Sequence, residues 1–142
     1  MMENATGKTY AELMKERIYE PLNMNDASTD FASIVDHANF AVPHRRNKSI
    51  MKLDSAYYSV LPAAGVNASI SDMNQWLLAM LGHRPETFPE DLLFQITSKQ
   101  VILPKNNPWS RSWKGIRSVG YGFGWRIVDY KGLELILSLI HI

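Results

Sequence analysis

Apolar residues recur at helical spacing most clearly over residues 63–82, AAGVNASISDMNQWLLAMLG. Met73, Trp76, Leu77 and Met80 fall on one side of a 3.6-residue turn, and Leu81 widens the stripe. Ser69, with Asp72 three positions on, forms a capping-box pair at the start, and Gly82 can take the left-handed conformation that ends a helix. The pattern predicts an amphipathic helix over 70–81, preceded by small residues at 62–65 that allow close backbone approach. Thr9 and Glu12 give a second capping box. Tyr10, Met14, Ile18 and Leu22 mark one face of a helix over 9–20, which Pro21 terminates. A third helix is predicted over 89–98, with Leu92, Leu93 and Ile96 as its buried stripe. Trp76, Leu77, Met80, Met14 and Ile18 are expected to be largely buried.

Residues 121–130 alternate and are rich in aromatic and β-branched side chains, which predicts a strand. Lys131-Gly132 is a hairpin turn into a second strand over 133–138. The stretch 22–30 is turn-rich, 38–42 reads as a short strand before Pro43, and 50–61 reads as irregular or a short strand. Residues 104–118 form a long insert with little periodicity. Helices first and strands last point to an α+β fold.

Composition narrows the chemistry. At 142 residues, with 46% hydrophobic and 20% charged, the chain suits one globular domain and not a disordered segment. A net charge of +1 offers no field for a polyanion, so no nucleic-acid partner is expected. With no cysteine, thiol and disulfide chemistry are excluded, which fits cytoplasm and periplasm equally. The four histidines, His37, His44, His83 and His141, lack any metal-ligand spacing, so no metal is implied, and no organic cofactor is expected either. No run reaches the roughly 18 apolar residues of a membrane span, and the first residues carry no secretory-signal pattern. The chain is therefore expected to be soluble.

Three local features have both a chemical and a plain reading. The basic run 44–48, HRRNK, is an anion site or, as charge runs in loops usually are, a solvated face. Tyr57 and Tyr58 border a substrate gorge or are half-buried packing. Trp109, Arg111, Trp113, Lys114 and Arg117 interleave rings with positive charge, either as a contact surface or as an aromatic cap on the core. His37 and His83 read as turn or helix-end residues.

The order Ala63-Ala64-Gly65, a polar cap, then Asp72-Met73 and Trp76-Leu77 resembles a helix of the serine β-lactamase and penicillin-binding-protein superfamily, especially class C β-lactamases and related esterases. Residues 5–10 running into Glu16-Arg17-Ile18-Tyr19-Glu20-Pro21-Leu22-Asn23-Met24 look like the segment that follows the family's tyrosine motif. Tyr121-Gly122-Phe123-Gly124-Trp125 is similar to the strand that precedes its third motif. The three matches occur in family order. The resemblance implies a serine nucleophile with a lysine three residues on, a Tyr-x-Asn motif, and a Lys-Thr-Gly or His-x-Gly strand. It also implies small-molecule substrates: β-lactams, D-amino-acid peptides or esters. The site of the parent protein would be periplasmic or extracellular. Tyr58, Ala64 and Gly65 are placed on the gorge rim. Class C enzymes commonly have tyrosine where Ala64 stands, a departure that bears on β-lactam specificity.

The catalytic motifs themselves are missing. Ser49-Ile50-Met51-Lys52 fits Ser-x-x-Lys, yet with 12 serines and 8 lysines about one such match arises by chance. It also follows the segment it should precede. No tyrosine has asparagine two positions later, and Lys8-Thr9 leads into Tyr10. His141 lies where His-x-Gly would be due, without the glycine. Residues 1–136 are read as a partial β-lactamase-like domain lacking the serine motif and the strand motif. Residues 137–142, LSLIHI, resemble a translated sequencing adapter and are read as a non-native tail. The expected function is thus a catalytically inactive fragment of a serine hydrolase, with no catalytic residue assigned. The alternative is a non-catalytic interaction module using 104–118. The incomplete sheet is expected to leave open strand edges and an uncovered apolar face, so that the isolated chain is aggregation-prone or molten.

Overall fold

The computed structural model describes residues 2–104, 106–108, 111 and 113–138. These fall into two compact units, divided between Thr87 and Phe88.

The first unit holds α1 (Met2–Thr6), α2 (Tyr10–Met14) continuing into a π-helical turn (Lys15–Tyr19), and α3 (Phe31–Val35). A 3₁₀ turn (Ser55–Val60) then leads into α4 (Leu61–Ala64), and α5 spans Ile70–Met80. The capping box at α2 forms: the Glu12 N–H donates to Thr9 Oγ1 at 3.3 Å, and the Thr9 N–H donates to Glu12 Oε2 at 2.7 Å. That backbone donor, followed by the Thr9 hydroxyl, holds the Glu12 carboxyl below its usual range.

The helix does not present the face its periodicity predicts. The Glu20 N–H reaches Lys15 O, five residues back, so the chain carries one extra residue in that turn. The rotation turns Tyr19 inward, at 5% exposure, and leaves Ile18 and Met14 only half-buried. Pro21 then stops the helix and Asn23 turns with φ 57°, which drives Leu22 and Met24 into the core at 0% and 5% exposure.

α5 starts and stops where expected. Its cap is a complete box, and Gly82 adopts φ 82° with its N–H on Ala79 O. Its buried face, however, runs through Asp72 and Ala79, with Trp76 and Met80 half-buried and Leu77 49% exposed. The expected burial of Leu77 is wrong because the face is centred on the buried Asp72 carboxylate, which periodicity of apolar residues cannot register. Asp72 accepts the Ser69 N–H and hydroxyl through Oδ2 and the Asp26 N–H through Oδ1 at 3.4 Å. Residues 38–42 form no strand, and 55–60 form the 3₁₀ turn.

The second unit carries α6 (Glu90–Thr97) and an antiparallel sheet of β1 (Val101–Ile102), β2 (Ile116–Tyr121), β3 (Trp125–Tyr130) and β4 (Leu133–Ser138), in the order β1-β2-β3-β4. The fold is α+β, as expected. The stretch 121–130, read as one strand, is two strand ends around a turn: Gly122 donates to Trp125 O and Gly124 has φ 78°. A Cβ at Gly122 would lie 2.4 Å from Ile96 O, so only glycine lets this turn sit against the end of α6. β2 was hidden inside the insert because a register shift between Ile116 and Ser118 breaks its alternation. Val119, Ile127 and Val128 are at most 1% exposed and form the centre of this unit. Lys131-Gly132 makes the expected hairpin, with φ 54° and 89°. The first two residues of the tail, Leu137 and Ser138, pair with Arg126 and Trp125; the rest of the tail, His141 included, lies outside the described residues.

Three outcomes follow from these contacts. The Tyr19 hydroxyl is buried without a partner among the described residues, so Tyr19→Phe is expected to stabilise the fold by about 1 kcal/mol in urea unfolding. Burial, with Tyr10 nearby, pushes the Tyr19 phenol up to about 12. A folded value above the unfolded one means stability complete below about pH 10 and lost as pH rises through 12. The gap between Tyr19→Phe and the parent sequence should therefore widen over that range. Asp72→Ala strands three donors and should cost about 2 kcal/mol or more. At the sheet, β4 has no neighbour on its outer side among the described residues, and Leu133 and Ile136 are 67% and 46% exposed. Sedimentation velocity should show self-association that Ile136→Lys reduces.

Candidate functional site

The first unit contains a cavity of about 870 Å³, within the range that holds small organic ligands. Its wall is drawn from four places: the turn after Met24, α3 and the segment that follows it to Pro43, Leu53 with Tyr58, and residues 66–70 leading into α5. What holds these together is a two-residue bridge. The Ser28 N–H donates to Asn67 O at 3.0 Å, and the Asn67 N–H donates to Ser28 O at 2.8 Å. The Asn67 side chain reinforces it, its Nδ2 donating to Ser28 Oγ at 2.9 Å and to Asp30 O at 3.1 Å.

Tyr58 is part of this wall. Its hydroxyl donates to Asn67 Oδ1 at 2.5 Å, and the Phe31 ring meets it edge-on at 5.5 Å between centroids. Tyr58 is thus half-buried packing that also lines this cavity. Tyr57 points elsewhere, 64% exposed. Ala64 and Gly65 do not line the cavity. Ala64 is exposed at the end of α4; Gly65 is buried, and a Cβ there would come within 2.6 Å of Leu61 Cδ2 and 2.8 Å of Leu61 Cα. Gly65 therefore serves the close turn between α4 and residues 66–70. Of the three rim residues, Tyr58 lines the cavity and Ala64 and Gly65 do not.

Sequence reasoning missed Asn67, Asp26 and Asp36. Nothing local distinguishes an asparagine whose partners lie 37 and 39 residues away. His37, read as a turn residue, also lines the cavity; its Nδ1 meets the Asn39 backbone and its Nε2 lies 3.9 Å from Asp26 Oδ1.

Ser49 and Lys52 are not a nucleophile pair. A serine and a lysine three apart share a face only on a helix, and residues 49–52 are not helical. The Ser49 hydroxyl donates to Asn47 Oδ1 at 2.7 Å, and both side chains are exposed. The basic run 44–48 forms an exposed turn closed by Arg45 on Ser49 O, with Lys48 at φ 67°. In the 104–118 segment, Trp113 packs edge-on against Tyr130 at 6.2 Å. Trp109 lies outside the described residues. Among the described residues, no three His, Asp or Glu side chains are grouped to hold a metal ion, and no helix is long and apolar enough to cross a membrane.

Comparison with known proteins places this architecture. A β-lactamase family model matches residues 1–139. Unguisins hydrolase ungD′ of Aspergillus campestris (strain IBT 28561) is 24% identical over 144 residues, a match that covers 96% of this chain and 25% of the hydrolase. The octameric penicillin-binding protein homologue from Pyrococcus abyssi is similar in fold, with a TM-score of 0.74 at 18% identity, over 95% of this chain and 29% of that one. The chain therefore spans between a quarter and a third of the length of these relatives. With the family match running over residues 1–139, the chain belongs to the β-lactamase family, within the superfamily of serine β-lactamases and penicillin-binding proteins.

Proposed function

We propose that this chain is scaffold from a serine hydrolase that acts on a lactam, amide or ester through an acyl-enzyme, of the kind seen in class C β-lactamases and related esterases. The observation that carries this reading is the order of three matches, at residues 5–24, 63–77 and 121–125, inside a family match over 1–139. In the reaction proposed for the parent, a serine Oγ attacks the substrate carbonyl while its proton passes to a lysine or tyrosinate base. The amine or alkoxide leaves with a proton, and water then releases the acid and restores the serine. Tyr58, Ala64 and Gly65 are assigned to the gorge rim of that parent. Ala64 in place of the usual tyrosine argues against specificity for β-lactams and favours amide or ester substrates.

The chain alone is expected to be inert. It has no Tyr-x-Asn and no Lys-Thr-Gly, and its single Ser-x-x-Lys sits in a non-helical, exposed turn. Loss of one member of such a catalytic set costs several powers of ten in rate, on the order of 10⁴ or more. A chromogenic β-lactam and a p-nitrophenyl ester should show no turnover by the chain or by its Ser49→Ala variant. A longer reading frame that supplies Ser-x-x-Lys and Tyr-x-Asn ahead of residue 1, and the Lys-Thr-Gly or His-x-Gly strand after residue 136, should turn over at least one of them. Activity in this chain that vanishes in Ser49→Ala would overturn the proposal.

A further inference from the structure

We infer that the cavity of the first unit binds small molecules carrying a protonated amine beside an apolar or aromatic body. The inference rests on Tyr58 belonging to the substrate gorge and names the chemical class that this gorge receives.

Charge is the first argument. The ionisable carboxylates and imidazole on the wall are Asp26, Asp36 and His37, and among the described residues no lysine or arginine lines it. Even a protonated His37 leaves the two carboxylates in excess. Asp36 is the more telling of the pair. It closes α3, where the last carbonyls already carry partial negative charge and a carboxylate is unfavourable. Among the described residues its side chain has no hydrogen bond or ion pair to offset that placement.

Hydrogen-bond polarity is the second argument, and it is independent of charge. The Tyr58 hydroxyl has one proton, and it is committed to Asn67 Oδ1 at 2.5 Å. Asn67 is fixed in that orientation because its Nδ2 already donates to Ser28 Oγ and Asp30 O. Tyr58 therefore offers the cavity lone pairs and no donor. A ligand that donates, as an ammonium does, finds an acceptor there; one that only accepts finds none.

The remaining wall fits the body of such a molecule. Ile34, Phe40, Leu53, Val66 and Ile70 are apolar, and Phe40 with Tyr58 presents aromatic surface that favours a neighbouring cation. At about 870 Å³ the space exceeds a single amino-acid amide, so it can hold both the amine and such a body.

The test uses the full 142-residue chain and three probes that share one ring: phenylalaninamide, N-acetylphenylalaninamide and N-acetylphenylalanine, which are cationic, neutral and anionic. Calorimetric titration should rank them in that order of affinity. Asp26→Asn and Asp36→Asn should each weaken the cation by about three- to fivefold and leave the neutral amide unchanged, as expected for partly exposed ion pairs. Asp91→Asn, which does not line the cavity, should change nothing, and circular dichroism should show every variant folded. Equal affinity for the three probes, no binding of any, or a cation preference that survives both substitutions would overturn the inference. Failure of the hydrolase reading would appear separately, as absence of turnover in the longer reading frame, while the charge ranking measured on this chain stood.

Discussion

The buried carboxylate of Asp72 holds the first unit in its form. At 2% exposure it accepts from the Ser69 amide and hydroxyl and from the Asp26 amide. The first two contacts start α5; the third ties the turn after Met24 to that helix start. A carboxylate is well suited to this because it accepts from several donors at once and sits at the positive end of the helix. The cavity is a consequence of the tie. Asp26 and Ser69, both on its wall, are placed by the same side chain, and the Ser28–Asn67 bridge repeats the connection two residues further along.

The second unit is organised by backbone approach instead. Gly120 and Gly122 lie where a Cβ would meet Val101 O at 2.7 Å and Ile96 O at 2.4 Å. These two absences of a side chain let β1 and the end of α6 close on the β2–β3 turn, above the Val119, Ile127 and Val128 core. Arg126 is buried within it, its guanidinium donating to the Tyr121 hydroxyl at 3.1 Å and lying 5.3 Å from that ring's centroid. The charge is accommodated by hydrogen bonding and by the ring face, not by exposure.

Much of this was legible in the residues, and the exceptions share a cause. Helix starts and stops were readable because caps are local: Thr9 with Glu12, Ser69 with Asp72, Gly82, and the Lys131-Gly132 turn all act within a few positions. Helix faces were less so. Leu77 and Ile18 were expected inside, but a polar residue or one extra residue in a turn decides which side is buried, and apolar spacing carries neither. The split of 121–130 was masked because aromatic residues flank Gly122 and Gly124 on both sides, so the alternation runs on through the turn. At the candidate site, Tyr58 was legible as an aromatic pair member. Asn67, Asp26 and Asp36 were not, because their importance comes from partners or a cavity assembled across some forty positions of chain.

The π-helical turn at Lys15–Tyr19 has a consequence for how this chain tolerates change in length. A turn of five residues between bonded partners is an α-helix holding one residue more than its ladder needs. Removing a residue from it restores ordinary helical geometry without moving either end. Removing one from α5, whose ladder is regular from cap to Gly82, would instead swing Ala79 off the buried side. Insertions and deletions among relatives should therefore gather in the first helix and be absent from the second, for reasons of hydrogen-bond bookkeeping and not of exposure, since both helices lie partly open to solvent.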